Sequence, residues 1–306
     1  MPTSNDEDVR ALEQARTYGA ALAAASRRLR ETEASATPAL DAQVLLGHVT
    51  GAPRATLLAY PERALTAEET SRFADLIARR RAGEPVAYLT GHREFMGLDF
   101  LTDRRALIPR PETELLVEAA LAEVRARIER GEAPIAADIG TGSGAIALAV
   151  AVHEPRLARI YATDVSAEAL ALAAENAAQL GVAGRVTFLQ GDLLAPLPEP
   201  VDLLLANLPY VAPRDATILA DDVRRYEPAL ALYGARDGLG HLRRFFAEAP
   251  AHLRSGAALL VEFGYDQRTA VEALACETFP GAEVRVGADL AGWDRYAMVR
   301  LPAARR

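Results

Sequence analysis

A glycine-rich segment between a predicted strand and a predicted helix is the strongest chemical signal in the chain. Residues 137–145 read ADIGTGSGA and follow an apolar run that begins near Ile135. Glycines at such a point let the backbone approach a ligand, and the start of the next helix offers unpaired amide groups. We therefore expect a cofactor-binding loop formed by Gly140, Thr141, Gly142, Ser143 and Gly144.

Three aspartates follow three consecutive predicted strands, at Asp138, Asp164 and Asp192. Because the carboxyl ends of parallel strands meet at one edge of a sheet, these side chains are expected in one pocket. Asp164 can accept hydrogen bonds from two ribose hydroxyls, and Asp192 from an adenine amine, with Leu193 against the ring. An aspartate after a strand is often only a helix cap or turn residue. Three of them beside a glycine loop favour a nucleoside pocket.

The charge of Asp138 separates two cofactors that this pocket could hold. Gly140, Gly142 and Ala145 match the dinucleotide pattern G-x-G-x-x-G/A, so a nicotinamide or flavin enzyme must be considered. A carboxylate at Asp138 would repel a pyrophosphate but attract an ammonium group. S-adenosylmethionine has a cationic amino-acid end and no phosphate. The sequence therefore favours S-adenosylmethionine, with S-adenosylhomocysteine as its product.

A second polar motif, ANLPY, follows the fourth predicted strand. The side-chain oxygen of Asn207 and the backbone carbonyl of Leu208 offer two acceptors, Pro209 stiffens the turn, and Tyr210 offers a flat face. Two acceptors can hold a planar NH₂ group and aim its lone pair at a sulfonium methyl. The plainer interpretation is a turn with a surface tyrosine. We predict Asn207 and Tyr210 as catalytic, Asn207–Tyr210 as substrate-binding, and Asn207 as a cofactor contact as well.

The composition excludes several function classes. All 34 basic residues are arginines, which removes the lysine of Schiff-base enzymes and of P-loops. With 42 acidic residues the net charge is −8, so direct nucleic-acid binding is not expected. Cys276 is the only cysteine and the five histidines lack metal-ligand spacing, so no metal site is expected. The polar first ten residues and the lack of a long apolar run predict a cytoplasmic protein without a membrane segment.

At about 100–200 residues per domain, the length of 306 residues suggests two domains. Helical periodicity predicts an N-terminal helical substrate-recognition domain at 1–82, and extended segments around Val86–Leu89 and Glu94–Leu101 predict a β-hairpin-like connector at 83–108. Strands alternating with helices predict a seven-stranded, doubly wound parallel α/β sheet at 109–306, which with a pocket for S-adenosylmethionine would be a Rossmann-like methyltransferase domain. The candidate strands are Ile135–Asp138, Ile160–Thr163, Val186–Gln190, Val201–Ala206, Ala257–Phe263, Glu283–Val286 and Arg295–Leu301.

The chain resembles the bacterial peptide chain release factor glutamine methyltransferases over most of its length. The matching segments are AQVLLGHVTG, GEPVAYLTGHREFMGLDF, LIPRPETE, ADIGTGSGAIALA, TDVSAEALALAAENA, RYEPALALYG, LLVEFGYDQ and DLAGWDRYAMV. The resemblance implies an enzyme that uses S-adenosylmethionine to methylate the glutamine amide in the Gly-Gly-Gln motif of class I release factors. It also implies that Gly140–Gly144, Asp164 and the Asp192-Leu193 pair hold the cofactor, and that Asn207–Tyr210 grip the glutamine.

One residue departs from the family pattern, which usually has two prolines between the asparagine and the tyrosine. Leu208 stands where the first proline is expected. Leucine keeps the backbone carbonyl, so the chemistry should survive while the turn loses rigidity. Asn-Leu-Pro-Tyr also occurs in ribosomal-RNA adenine dimethyltransferases. Methylation of an adenine amine in RNA or DNA is therefore one alternative, and a cofactor-binding protein without turnover is another.

Overall fold

The structure is a computed structural model that describes residues 11–32 and 34–303. By compactness the described chain divides into two units. The first comprises the residues up to Gly91 together with Leu219–Tyr226, and the second comprises His92–Ile218 and the residues from Glu227 onward. The three-part division at 82/83 and 108/109 stays a prediction.

The first unit is a helical bundle around an apolar core. Its helices are α1 (Tyr18–Arg30), α2 (Pro38–Thr50), α3 (Arg54–Ala59), α4 (Ala67–Arg81) and α5 (Val86–Thr90). The capping box at the start of α4 satisfies two backbone donors, because Thr66 and Glu69 each bond the other's amide. Buried leucines and Phe73 fill the core, and a buried ion pair joins Arg80 to Asp41 at 2.7 Å. The expectation that Val86–Leu89 is extended was wrong: this segment is helical.

The second unit begins with a short hairpin of β1 (His92–Phe95) and β2 (Leu98–Leu101). Met96 and Gly97 make the two-residue turn, both with positive φ (54° and 73°), as tight hairpins of this twist require. Phe95 and Phe100 meet edge to face and enter the core under helix α6 (Thr113–Glu129). The hairpin expected around Glu94–Leu101 is therefore present.

All seven predicted strands are present in one sheet. They are β3 (Ile135–Ile139), β4 (Arg159–Asp164), β5 (Val186–Gln190), β6 (Val201–Ala206), β7 (Leu253–Glu262), β8 (Glu283–Ala288) and β9 (Asp294–Arg300). The spatial order is β5-β4-β3-β6-β7-β9-β8. The sheet is not wholly parallel, because β9 runs antiparallel to both β7 and β8. It is a mixed sheet of the Rossmann-like methyltransferase type, as the alternation of strands and helices predicts.

Apolar residues cover both faces of this sheet. Along β6, Leu203 and Leu205 enter one core while Leu204 and Ala206 enter the other, as strand alternation dictates. The remaining helices are α7 (Ala145–His153), α8 (Ala167–Gln179), α9 (Asp221–Tyr226, part of the first unit), α10 (Ala229–Leu232), α11 (Gly240–Glu248) and α12 (Arg268–Thr278). Within the described residues, no helix combines the length and apolar character that crossing a membrane requires.

Three parallel neighbours, β3, β4 and β6, end close together at one edge of the sheet. The register pairs Ile139 with Thr163 on β4 and with Ala206 on β6. Whatever follows these strands therefore meets around one crevice, which is the usual ligand site of an open α/β sheet. Ten of the thirteen residues that the sequence predicts to act line this crevice.

Candidate active site

A cleft at the carboxyl edge of β3, β4 and β6 brings together ten of the predicted site residues. They are Gly140, Thr141, Gly142, Ser143, Asp164, Asp192, Leu193, Asn207, Leu208 and Pro209. Three others do not line it: Asp138, Gly144 and Tyr210. The roof includes the 105–110 segment and the start of α6, with Arg110 and Thr113 facing the cleft.

The glycine loop closes on the neighbouring strand. The amides of Gly140 and Thr141 both donate to the Thr163 carbonyl at 2.9 Å. Gly140 has φ of +72°, and a Cβ there would lie 3.0 Å from the Leu208 side chain. Gly144 has φ of +84°, and a Cβ there would lie 2.8 Å from Leu148. The positive φ favours glycine at both positions, and at Gly144 the lack of space adds to that preference.

Asp138 lies beneath this loop and is fully buried. One carboxylate oxygen accepts from the Thr141 hydroxyl at 2.6 Å and from the Ala147 amide at 3.2 Å. The other oxygen, Oδ1, is buried and has no partner. Burial raises the pKa of Asp138 to about 7, against the hydrogen bonds that lower it. The structure thus gives Asp138 a part in organising the loop, while its direct contact with a cofactor stays a prediction.

Asp164 ties the second strand end to the loop. Its two oxygens accept from the amides of Gly142 and Ser166, both at 2.9 Å. Burial raises the pKa of Asp164 in spite of these bonds. Because each oxygen keeps lone pairs beyond the one in use, the carboxylate can still accept hydrogen bonds from the cleft.

Two predicted site residues, Asp192 and Leu193, follow β5 and differ in burial. Leu193 is buried with a φ of +46°, an uncommon conformation for leucine, and its carbonyl accepts from the Thr163 hydroxyl at 3.0 Å. Asp192 is exposed and pairs with Arg244 on α11 at 2.6 Å. The carboxylate predicted to receive an adenine amine is therefore already engaged by an arginine, and that role stays a prediction.

The opposite wall of the cleft is built on β6. The side-chain amide nitrogen of Asn207 donates to the hydroxyl of Thr113 at 3.1 Å, and Thr113 itself is buried. Leu208 is also buried, with its side chain toward the glycine loop. The backbone carbonyl of Tyr210 accepts from Gln267 at 3.0 Å, and burial raises the pKa of its half-buried phenol, which keeps the hydroxyl protonated.

Glu262, at the end of β7, is a site residue that sequence reasoning missed. It is 3% exposed, and its oxygen Oε2 is buried without a partner. Burial raises the pKa of Glu262 to about 7, while hydrogen bonding to Thr113 and to Asn207 opposes the rise. β6 and β7 pair in parallel with Ala206 beside Val261, which brings Asn207 and Glu262 together. The only sequence signal was a glutamate ending the apolar run LLVE.

Glu227 holds the roof segment of the cleft. It is buried, and its carboxylate accepts from the Ile108 amide at 3.0 Å and from the Arg110 guanidinium. Arg110 thereby keeps a fixed position at the cleft. No group of histidine, cysteine and acidic side chains within residues 11–32 and 34–303 has an arrangement that could hold a metal ion.

Comparisons with known proteins agree with this architecture. The family model described as the PrmC N-terminal domain matches residues 20–91. The model described as the methyltransferase small domain matches residues 113–223, which include the glycine loop and the Asn207 turn.

Two curated relatives match nearly the whole chain. A release factor glutamine methyltransferase of Moorella thermoacetica is 48% identical over 84% of this chain and 89% of its own length. One of Vibrio cholerae is 40% identical over 92% of this chain and 96% of its own. Among solved structures, the hMettl16 catalytic domain in complex with MAT2A 3′UTR hairpin 6 has a TM-score of 0.50 and 16% identity, covering 78% of this chain and 84% of that one. At that identity the likeness concerns the fold alone.

Proposed function

We propose that this chain, which belongs to the family of release factor glutamine methyltransferases, methylates the side-chain amide nitrogen of the glutamine in the Gly-Gly-Gln motif of class I release factors. The observation that carries the proposal is the orientation of Asn207. Its NH₂ group is bound to Thr113, so its Oδ1 is left as an acceptor at the cleft wall. An amide substrate presents two N–H donors, and this wall offers acceptors to match.

The other half of the cleft fits S-adenosylmethionine. A Cβ added at Gly142 would have only Ala106 within 4 Å, at 3.9 Å, so the loop leaves room for a ligand beside its backbone. The unpartnered oxygen of Asp138 lies under that loop as a negative group for an ammonium. When bound, S-adenosylmethionine supplies an electrophilic methyl group on a sulfonium sulfur. The residues proposed to hold it are Asp138, Gly140, Thr141, Gly142, Ser143, Gly144, Asp164, Asp192, Leu193 and Asn207.

The chain's own residues act on the nucleophile. An amide nitrogen is a poor nucleophile because its lone pair is delocalised. The Oδ1 of Asn207 and the carbonyl of Leu208 accept the two amide hydrogens, which favours the positive charge that builds on nitrogen during transfer. The same two contacts fix the direction of the lone pair, and the ring of Tyr210 holds the amide plane. The amide nitrogen gains the methyl group and loses one of its two protons late, to solvent or a nearby acceptor. Catalysis then comes from positioning and charge stabilisation.

The helical unit is proposed to dock the protein substrate. Its residues 20–91 match a family model of their own, separate from the methyltransferase model. We expect hydrogen–deuterium exchange of the full chain, with and without a release factor, to reveal protection within 20–91. Unchanged exchange throughout that range at saturating release factor would refute the docking role. A cytoplasmic location, where release factors act, belongs to the same proposal.

The function is tested by incubating the purified chain with methyl-labelled S-adenosylmethionine and a class I release factor, then locating the label by peptide mass. The expected label lies on the Gly-Gly-Gln glutamine, and a release factor with that glutamine replaced by alanine should stay unlabelled. Ribosomal RNA in a parallel reaction addresses the alternative that Asn-Leu-Pro-Tyr raises. Preferential labelling of adenine, or cofactor binding with no transfer to either substrate, would overturn the proposal.

A further inference from the structure

Three side chains from distant parts of the second unit meet behind the cleft wall. Asn207 follows β6, Thr113 begins α6, and Glu262 ends β7. The Asn207 amide nitrogen donates to the Thr113 hydroxyl at 3.1 Å, and the Glu262 carboxylate lies close enough to both side chains for them to lower its pKa. Thr113 and Glu262 are 4% and 3% exposed, so water does not compete for these contacts.

The chemistry of these groups gives the network a direction. When Glu262 is ionised it can only accept, so the neighbouring Thr113 hydroxyl directs its proton toward that carboxylate. With its proton committed, the Thr113 oxygen can only accept from Asn207. The NH₂ end of Asn207 is therefore held inward, and the carbonyl end is held toward the cleft.

The reverse orientation of Asn207 would defeat the reaction. Its NH₂ group would then face the NH₂ group of the incoming glutamine, donor against donor. Its carbonyl oxygen would face a buried carboxylate, acceptor against acceptor. The two ends of an asparagine amide have nearly the same shape, so packing alone distinguishes them poorly. A hydrogen-bond partner of fixed polarity has to make the choice.

We propose that Thr113 and Glu262 are positioning residues whose directional hydrogen bonds hold the Asn207 carbonyl toward the substrate amide. This inference rests on the proposed function for its catalytic consequence, because the acceptor matters only if an NH₂ group is the substrate. Its structural part, the orientation of Asn207, stands apart from any activity.

Neighbouring charges raise or lower the pKa of Glu262 and so set the pH range in which its carboxylate is ionised. Glu112, before α6, raises the pKa of Glu262, whereas Arg295 on β9 lowers it. The phenol of Tyr210 also faces this group, since the Glu262 charge raises the pKa of Tyr210. The pKa of Glu262 lies at about 7, so acidification below that value neutralises the group and frees Thr113 from its fixed direction.

The chain offers an unusually clean spectroscopic test, because asparagine occurs at only three positions, Asn5, Asn176 and Asn207. In the full chain labelled with ¹⁵N-asparagine, Asn207→Ala identifies its NH₂ signal by the loss of one pair. Thr113→Val, nearly isosteric but without a hydroxyl, is expected to shift that pair and speed its exchange with water about tenfold. Thr113→Ser keeps the hydroxyl and should leave the pair near its original position.

The signal of Asn176 controls for folding in both variants. Its NH₂ group donates to the carbonyls of Leu101 and Ser143 and should not move. An Asn207 pair that is unchanged in Thr113→Val, with Asn176 unchanged as well, overturns the inference. If Thr113→Val disturbs Asn176, the same comparison is made with Glu262→Gln, whose amide can donate as well as accept; an unmoved Asn207 pair there likewise overturns it.

Turnover supplies the second readout. We expect Thr113→Val to lower kcat for the release factor roughly five- to tenfold, the scale of one lost hydrogen bond, with the KM for S-adenosylmethionine unchanged. Thr113→Ser should restore kcat to within about twofold. We expect kcat of the natural chain to decline below about pH 7, and Glu262→Gln to remove that decline. Equal kcat in Thr113→Val and the natural chain contradicts the catalytic part. A shifted Asn207 pair in a chain that methylates no release factor would instead refute the proposed function and leave the orientation intact.

Discussion

Behind each half of the cleft lies one buried carboxylate near the end of a strand, Asp138 on β3 and Glu262 on β7. Each has one oxygen without a partner, and burial raises the pKa of each to about 7. They differ in where their partners come from. Asp138 accepts hydrogen bonds from Thr141 and Ala147, three and nine residues away, whereas the side chains that lower the pKa of Glu262, Thr113 and Asn207, come from other elements of the fold.

The Asp138 half of the site is therefore built mainly from backbone groups, whereas the Glu262 half is built from side chains. On the Asp138 side, backbone amides of the glycine loop donate to a backbone carbonyl of the neighbouring strand β4. The residues of this loop are contiguous in the sequence. On the Glu262 side, a hydrogen-bond network through Thr113 orients Asn207, and its members meet only when the sheet forms. We therefore expect variants of the first half to affect cofactor binding and variants of the second to affect transfer.

Asn207→Ala should produce the largest effect, and that effect should fall mainly on transfer. Losing an acceptor used in the transition state is expected to lower kcat on the order of 10²–10³, by analogy with removal of one oxyanion-hole donor. The dissociation constant of S-adenosylmethionine should change much less. Calorimetric titration and initial rates on the release factor measure the two quantities. A folded, cofactor-saturated Asn207→Ala enzyme near full speed would remove the basis for assigning the substrate side.

The two buried carboxylates should also govern how stability depends on pH. Their pKa values of about 7 in the folded chain exceed the ordinary 3.8 and 4.5, so the folded state binds more protons between these limits. Stability should therefore fall as pH rises from about 4 to about 7. Asp138→Asn or Glu262→Gln should each remove part of that fall, on the order of 2–3 kcal/mol.

Urea unfolding of the cofactor-free chain at several pH values measures this effect. Glu154 provides a control of opposite sign: Arg156 lowers its pKa to about 2, so its contribution to stability is lost as pH falls through that value. Glu154→Gln should therefore change the acid limb and not the range from 4 to 7. If neither cleft variant alters the slope between pH 4 and 7, the cleft carboxylates do not titrate as described.

Gly140→Ala should weaken cofactor binding by about tenfold or more, because it forces a side chain into a left-handed conformation and against Leu208. Gly181→Ala is a matched control, since its φ of +73° is nearly the same and nothing lies within 4 Å of the added Cβ. Both variants should lose about 1–2 kcal/mol of stability. Equal cofactor dissociation constants for the two, measured by calorimetry, would mean that the glycine loop does not contact the cofactor.

Leu208→Pro should have the smallest effect, with kcat within about threefold of the natural chain. It keeps the backbone carbonyl and stiffens the turn, a change worth about 0.4–1 kcal/mol where the conformation suits proline. Leu208→Ala removes the same buried side chain without stiffening the backbone and serves as the control. Rates and melting temperatures of both variants separate packing from rigidity. A loss of more than about tenfold in Leu208→Pro alone would indicate that the carbonyl had moved.

The contrast between residues that are contiguous in the sequence and residues that meet only on folding also explains which features could be predicted. The seven strands appear as apolar runs bounded by turn residues, and the glycine loop is contiguous, so the strands and the position of the loop between a strand and a helix were predicted correctly. The antiparallel course of β9 depends on tertiary pairing, which no strand sequence encodes locally. Val86–Leu89 has β-forming residues yet closes one helical turn after Pro85, where packing outweighs propensity. Glu262 was missed because its partners lie far away in the chain.

The most direct test of the central claim is a crystal structure of the chain with S-adenosylhomocysteine and a release factor fragment carrying the Gly-Gly-Gln motif. The account predicts the glutamine amide nitrogen within hydrogen-bonding distance of the Asn207 Oδ1 and the Leu208 carbonyl, with the Asn207 nitrogen still on Thr113 and the cofactor product along the glycine loop. A glutamine side chain bound away from Asn207, or an Asn207 that has turned its nitrogen toward the cleft, would contradict it.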